Sequence, residues 1–308
     1  MHCELVAPGL FSTKTDLRLG ALELLLARGR RKTSASQRLD EWLQTAFDLG
    51  EGPFPAGALT LLASGGDPGA DSWARTDPIH LRLMRDRLAV VPGEAFDVSR
   101  EEADALCAAL NGHFPGLDFT VCEPRRWCAR LAAPMSGHPL DAGVPPEPPK
   151  AAAALLNEAQ MVLHAHPVND AREARGEPAI NSLWIWGGGR APRSAQCVWQ
   201  SVAADDPAVL GAARLAGARH RALPRSARDW LDRLPEDSRH LAVLDAVRTP
   251  LGELERDWFE PLLGALRAGR IGIVTLHVPD GAEAVSFETI RGDLRRFWRL
   301  AKRIEHYA

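Results

Sequence analysis

No segment of this sequence stays apolar for the roughly 20 residues that a membrane-spanning helix needs. The first residues, MHCELVAPGLFSTKTDLRLG, also lack the basic start and long apolar stretch of a secretory signal. A cytoplasmic location with no membrane partner is the expectation. An excess of one charge is missing too. The 37 Lys and Arg oppose 40 Asp and Glu, a net charge of -3, so no nucleic-acid partner is expected. Cysteine is sparse: five residues, odd in number and scattered, as suits reduced thiols. Cys122 and Cys128 flank EPRRW, but the spacing is no zinc knuckle and no histidine pair follows. Tyrosine is nearly absent, one against nine tryptophans, and most of those indoles should be core or cleft wall.

What is present is enough to build a core. The chain has 308 residues, 45% of them hydrophobic, room for one large domain or two modest ones. CELVAPGL reads as a short buried strand. DLRLGALELLLARGRRK carries leucines at helical spacing, with basic residues closing the last turn. SQRLDEWLQTAFDLG is a helix capped near Ser34 or Ser36 and stopped by Gly50, and FPAGALTLLASGGDPG is a short apolar helix broken by Gly-Gly. RDRLAVVPG, a helix with a capping box at Ser99 and Glu102, LDFTVCEP and RWCARLAAP make a β-α-β-β unit over roughly 83–134. A Pro- and Gly-rich linker follows. AAAALLNEAQMVLHAH is a helix that ends before Pro167. INSLWIWG, QCVWQSVAAD, HLAVLDAV and IGIVTLHVPDG read as strands separated by helices, the pattern of a covered, largely parallel sheet. SFETIRGDLRRFWRLAKRI reads as a basic terminal helix docked through its apolar residues, or alternatively as a contact for a protein partner.

The stretch NSLWIWGGGRAP stands apart. In a strand, Trp184 and Trp186 share one face and form a rigid wall. Gly187, Gly188 and Gly189 would then lie at the strand's exit, where bare backbone can approach a ligand and amides can hold an anion, with Arg190 as a bidentate partner. A buried strand with a glycine-rich exit turn would use the same residues. Just upstream, His164, His166, Asn169, Arg172 and Asn181 crowd a helix end and its loop, where polar groups can converge on a pocket. The histidines could bind metal, but no carboxylate pair supports them, and ordering of the loop is the commoner use. In WARTDPIHLRLMRDR, the residues Asp77, His80, Arg82, Arg85 and Arg87 could face the same cleft or form a solvated edge.

HPVN, then Arg, then INSLWIWGGG resembles the archaeal-type, cofactor-independent phosphoglycerate mutases. TDPIHL, NGHF, RWCARL and NEAQMVLHAHPVN together resemble a bacterial family labelled "regulatory protein, RpfE type", related to those mutases. The resemblance implies an α/β, doubly wound, mostly parallel sheet of alkaline-phosphatase type with a small inserted α+β module. The expected layout is 1–75 and 151–308 as core and 76–150 as insert and linker. It also implies two metal ions and a Ser or Thr nucleophile, since hard divalent ions stabilise an in-line displacement. Here the sequence departs at four places. Ala7 and Pro8 stand where a metal-binding Asp should end the first strand. PFPAGALTLLASGGDPG has no Ser or Thr before its helix, and Thr60 and Ser64 come late. LAVLDAVRTP offers Asp245 without a His. VTLHVPDG supplies His277 and Asp280 in reversed order. A degenerate core follows as the expectation: no metal and no cofactor, a regulatory or metabolite-binding role, and a small anionic ligand at His166, Asn169, Arg172, Asn181, Trp184, Trp186, Gly187, Gly188, Gly189 and Arg190. The alternatives are an active mutase or phosphatase using Mn²⁺ or Zn²⁺ with rearranged ligands drawn from Glu158, His164, His166, Asp170 and His277, and a protein-interaction module without a small ligand.

Overall fold

The computed structural model describes residues 1–12, 15–35, 38–83, 88–132, 135, 137–140, 152–235, 238–279 and 284–307. The chain divides into two compact units, Met1–Asp48 with Ser194–Ala308, and Leu49–Arg193. Ser36, Arg85, Arg87, Asp280 and most of the Pro-rich linker lie outside the described residues.

The first unit is built on a seven-stranded sheet. Its strands are β1 (His2–Val6), β2 (Arg30–Ser34), β8 (Ser201–Ala203), β9 (Arg219–Arg221), β10 (Arg239–Val243), β11 (Ile273–Pro279) and β12 (Ala284–Ile290), in the order β2-β12-β11-β1-β10-β8-β9. The five strands from β11 to β9 run parallel, and β12 and β2 add antiparallel at one edge. The helices are α1 (Gly20–Arg28), α2 (Leu39–Ala46), α7 (Pro207–Leu215), α8 (Ala227–Leu231), α9 (Leu251–Leu254) and α10 (Glu260–Ala268), the last two joined by a π-helical turn. Alternation sorts the central strands. Cys3, Leu5, Val274, Leu276, Ala242 and Leu244 enter one core with the leucines of α1 and α10, Trp230 and Trp258. The opposite face carries Glu4, His277 and Arg239, and Trp42 of α2 packs on His277 with ring centroids 5.1 Å apart. Helix α1 has no capping side chain of its own. The buried Glu255 carboxylate accepts from Ala21 N (2.6 Å) and Leu22 N (3.1 Å), placing an anion at the positive helix end.

One expectation holds in part and another fails, each for a local reason. Arg28 closes the last turn of α1, but Arg30 to Lys32 do not belong to it. Gly29 is extended (φ -65°, ψ 162°), and the basic residues continue as the fully exposed edge strand β2, where charge discourages further pairing. The terminal helix is also absent. AVSFETI alternates with period two and pairs with β11 along seven residues, and Arg291–Arg295 is a single 3₁₀ turn. Phe297 and Leu300 (75% exposed) and Trp298 (66%) stand in solvent rather than docked on the core.

The second unit holds α3 (Ala56–Ala63), α4 (Arg100–His113), α5 (Ala153–His164) and α6 (Pro167–Ala174) around an antiparallel sheet of β3 (Ser72–Leu83), β4 (Leu88–Pro92), β5 (Asp118–Glu123), β6 (Arg126–Leu131) and β7 (Ser182–Arg190). β3 is its spine. One edge takes β6 along Ser72 to Arg75 and β4 along Ile79 to Leu83, and the other edge takes β7. Pro78 falls where β6 has ended and β4 has not begun, so its missing amide hydrogen costs no bond on that edge. WARTDPIHLRL is thus a central strand, not a charged margin. INSLWIWG does not join the parallel core either, since β7 pairs antiparallel with β3 in this second sheet. The unit is larger than the expected 76–150 insert because α3 covers β3 and β7, and β7 itself supplies an edge strand. Leu183 and Ile185 face the core under α4 and α5, with Trp184 and Trp186 together on the other side. The capping box is present: Ser99 Oγ accepts from Glu102 N, and the Glu102 carboxylate accepts from Ser99 N.

Candidate functional site

The glycine run has a structural explanation within the second unit. Trp73 pairs with Gly189 and Arg75 with Trp186, so Gly187 and Gly188 together oppose the single residue Ala74. This is a β-bulge, and Gly187 takes the left-handed conformation (φ +59°) that a bulge of this kind reserves for glycine. A Cβ on Gly187 would lie 2.5 Å from Ala56 Cβ of α3, and one on Gly188 would lie 2.4 Å from Met135 O. The amides are engaged by protein as well: Gly188 N donates to Met135 O (3.1 Å) and Gly187 N to Gly137 O (3.4 Å). The segment expected as an exit turn is strand up to Arg190, which is exposed.

The two indoles form a wall, and the wall faces protein. Trp184 Nε1 donates to His138 O (2.9 Å), and Trp186 Nε1 donates to Asp77 Oδ2 (2.9 Å). The fully buried Arg75 guanidinium lies 5.2 Å from the Trp186 ring and grips Asp77 at 2.7–2.9 Å, with Thr60 Oγ1 3.3 Å from its Nη1. Arg75 was not among the residues suggested by sequence. Its signal was there, since two residues apart on a strand puts Arg75 and Asp77 on one face.

The upstream polar residues are drawn together, each onto partners within the fold. Asn169 Nδ2 donates to Leu163 O and Ile180 O, and its Oδ1 accepts from Ile180 N (2.7 Å). Arg172 is 1% exposed, lies over Phe96, and donates to Pro178 O, Glu102 and Asp97 O at 2.8–2.9 Å. Asn181 bridges the backbone of Leu81, and His80 Nδ1 meets Ala179 O at 2.8 Å. His166 caps α6, its Nδ1 accepting from Val168 N. His164 and Asp170 are exposed, and Glu158 pairs at the surface with His113. His277 is in the other unit, on Glu4. The segment after Pro167, expected as loop, is helix α6, and Asn169 and Arg172 are its buried positions.

In the first unit, ligands are expected beyond the carboxyl ends of parallel strands. A cavity of about 230 Å³ lies there, lined by Asp205 after β8, Asp245 after β10, Arg225, Thr249, Glu253, Asp257 and the buried Trp258. Sequence reasoning named only Asp245. The rule that sites follow strand ends would have added Asp205. Asp245 accepts from Arg248 N and Nη1 (both 3.0 Å), Asp205 from Leu223 N (3.2 Å), and Asp257 from Arg256, whose guanidinium holds its carboxyl below the usual range.

The two-metal centre implied by the mutase resemblance does not fit this edge. The exit of β1 is Ala7 and Pro8, neither a ligand. Thr60 is buried on Arg75, and Ser64 donates to Thr60 O and Leu61 O. Among the described residues no three His, Cys, Asp or Glu side chains are placed to hold a metal ion.

No family model matches the chain. Over 140 residues it is 29% identical to a probable 2,3-bisphosphoglycerate-independent phosphoglycerate mutase of Geobacter sulfurreducens, a stretch that is 41% of this chain and 35% of that protein. The chain thus matches about a third of its relative's length. The cofactor-independent phosphoglycerate mutase from Thermoplasma acidophilum aligns over 100% of this chain and 94% of that one, with 17% identity and a TM-score of 0.49. The PH0037 protein from Pyrococcus horikoshii superposes on 94% of this chain and 87% of that one, with 16% identity and a TM-score of 0.56, a likeness of fold. The chain is related in sequence to phosphoglycerate mutases and has a mixed α/β fold around a large, mostly parallel sheet. No helix among the described residues is long and apolar enough to cross a membrane.

Proposed function

We propose that this mutase-related chain has lost the metal-dependent active site and serves a regulatory or metabolite-binding role, as its resemblance to the RpfE-type family suggests. One observation carries the reading: the carboxyl edge of the parallel sheet keeps a cavity but offers Ala7 and Pro8 at its first strand exit, with its aspartates bonded to neighbouring arginine and amide groups. The ligand class is a small phosphorylated or carboxylated metabolite. Arg225 supplies the charge that would hold it and Thr249 a hydroxyl. Asp245 and Asp257 are paired with Arg248 and Arg256, which offsets their repulsion of an anion.

The exposed Phe297, Trp298 and Leu300, set among arginines, favour a second reading, an interaction surface for a protein partner.

Metal retention tests the main reading. Purified protein is loaded with excess Mn²⁺ and Zn²⁺, desalted, and analysed for metal, then assayed for phosphoglycerate mutase and phosphatase turnover. Substoichiometric metal and no turnover are expected. One or two equivalents retained, with turnover that depends on them, would establish an active enzyme with rearranged ligands.

A further inference from the structure

We propose that Cys122 and Cys128 are a redox-sensitive pair that closes to a reversible disulfide when the protein meets a hydroperoxide, with Cys122 as the attacking sulfur. The two sulfurs sit 3.5 Å apart. In the β5–β6 hairpin Thr120 opposes Cys128, Val121 opposes Trp127 and Glu123 opposes Arg126. Cys122 is therefore the extra residue of a bulge, and the bulge aims its side chain at Cys128. The hairpin turn is held in place by fully buried Trp127, whose Nε1 donates to Pro124 O (2.9 Å). A disulfide needs about 2.05 Å between sulfurs, so closure asks for roughly 1.5 Å of approach.

The environments of the two thiols differ. Cys122 is half-buried, and Cys128 is fully buried with its Sγ 3.4 Å from Gly57 O. The hydrogen bond shared with Cys128 pulls the Cys122 thiol below its usual value against the cost of burial, helped by the Ser64 side chain and the Arg75 charge. Burial pushes the other four thiols up, Cys3 to about 12. Thiolate character and access together decide which cysteine reacts, and both favour Cys122 over Cys128.

The chemistry balances in two steps. The Cys122 thiolate attacks the terminal peroxide oxygen. An S–O bond forms, the O–O bond breaks, and the alkoxide leaves as an alcohol after taking a proton from solvent. The sulfur is oxidised to a sulfenic acid and the peroxide is reduced. The Cys128 sulfur then attacks Cys122, the S–S bond forms, and the hydroxyl departs as water with the Cys128 proton.

The test exposes the full chain to hydrogen peroxide, caps remaining thiols with N-ethylmaleimide, and maps tryptic peptides by mass spectrometry. Trypsin cuts at Arg125 and Arg126, between the two cysteines, so the disulfide appears as two linked peptides. The expected result is a product lighter by two hydrogens, linked at Cys122 and Cys128 and restored by dithiothreitol. Cys128→Ser, which keeps a hydrogen-bond donor beside Cys122, should leave a dimedone-reactive sulfenic acid at Cys122, and Cys122→Ser should form neither species. First oxidation at Cys197, or Cys122 passing to sulfinic acid while wild-type Cys128 stays reduced, would overturn the proposal. The wild-type map decides even if a variant at buried Cys128 folds poorly.

Discussion

Gly187→Ala separates a packing role for the glycine run from a ligand-binding one. Two costs add. Alanine in the left-handed region loses about 1 kcal/mol or slightly more relative to glycine. The new methyl would also sit 2.5 Å from Ala56 Cβ and 3.1 Å from Ala56 N, and the nearest of these cannot be accommodated without moving α3 against β7. Overpacking of this kind costs about 1–3 kcal/mol. Together they give about 2–4 kcal/mol, which for a domain of this size lowers the melting temperature by something on the order of 10 °C. Calorimetry or a circular-dichroism melt reads it directly. Gly112→Ala is the control. That glycine lies in α4 with nothing within 4 Å of the added carbon, so the substitution should raise stability by up to about 1 kcal/mol. If Gly187→Ala melts with wild type but no longer binds a metabolite that wild type binds, the bulge argument is refuted and the glycines serve a ligand.

Three further outcomes are expected. Arg172→Ala removes a buried cation that joins Pro178 O, Asp97 O and Glu102, and should destabilise by about 3 kcal/mol or more in urea titration. Unchanged stability would mean that its bonds are replaceable by water. Burial alone would raise the Glu4 carboxyl, but hydrogen bonds from His277 and Arg239 outweigh it and bring its pKa from 4.5 to about 2. That stabilisation, on the order of 3 kcal/mol, is present above pH 4.5 and drains away as pH falls toward 2. Urea midpoints at pH 6 and pH 3.5 should therefore diverge more for wild type than for Glu4→Gln, and an equal midpoint shift in the two proteins would sink the account. Trp298→Ala should shift the melting temperature negligibly, because the ring is two-thirds exposed, and a large loss would mean that the terminal segment is docked.

Much of the local architecture was legible. Leucine spacing marked α1, the Ser99 and Glu102 pair marked the start of α4, and Pro167 marked the end of α5. Each is a short-range effect that a window of sequence contains. The strand in WARTDPIHLRL was hidden by its own residues, since buried Arg75 and half-buried Asp77 mimic a charged surface until their pairing is seen. The end of the chain mixes signals. Its many basic and apolar residues suit a docked helix, but the period-two run AVSFETI pairs with β11.

For the candidate site the division is sharper. Sequence alone determined that Asn169, Arg172 and Asn181 fall between the end of α5 and the start of β7. It also determined that Ala7 and Pro8 offer no metal ligand where the first strand ends. Only the tertiary structure decided what the gathered groups face. Asn181 meets Leu81, Arg172 meets Glu102 and Asp97, and Gly187 meets Ala56, partners far away in the chain. A side chain's hydrogen-bonding capacity is written in its residue type, but whether it is spent on the fold or left for a ligand depends on which distant backbone arrives beside it.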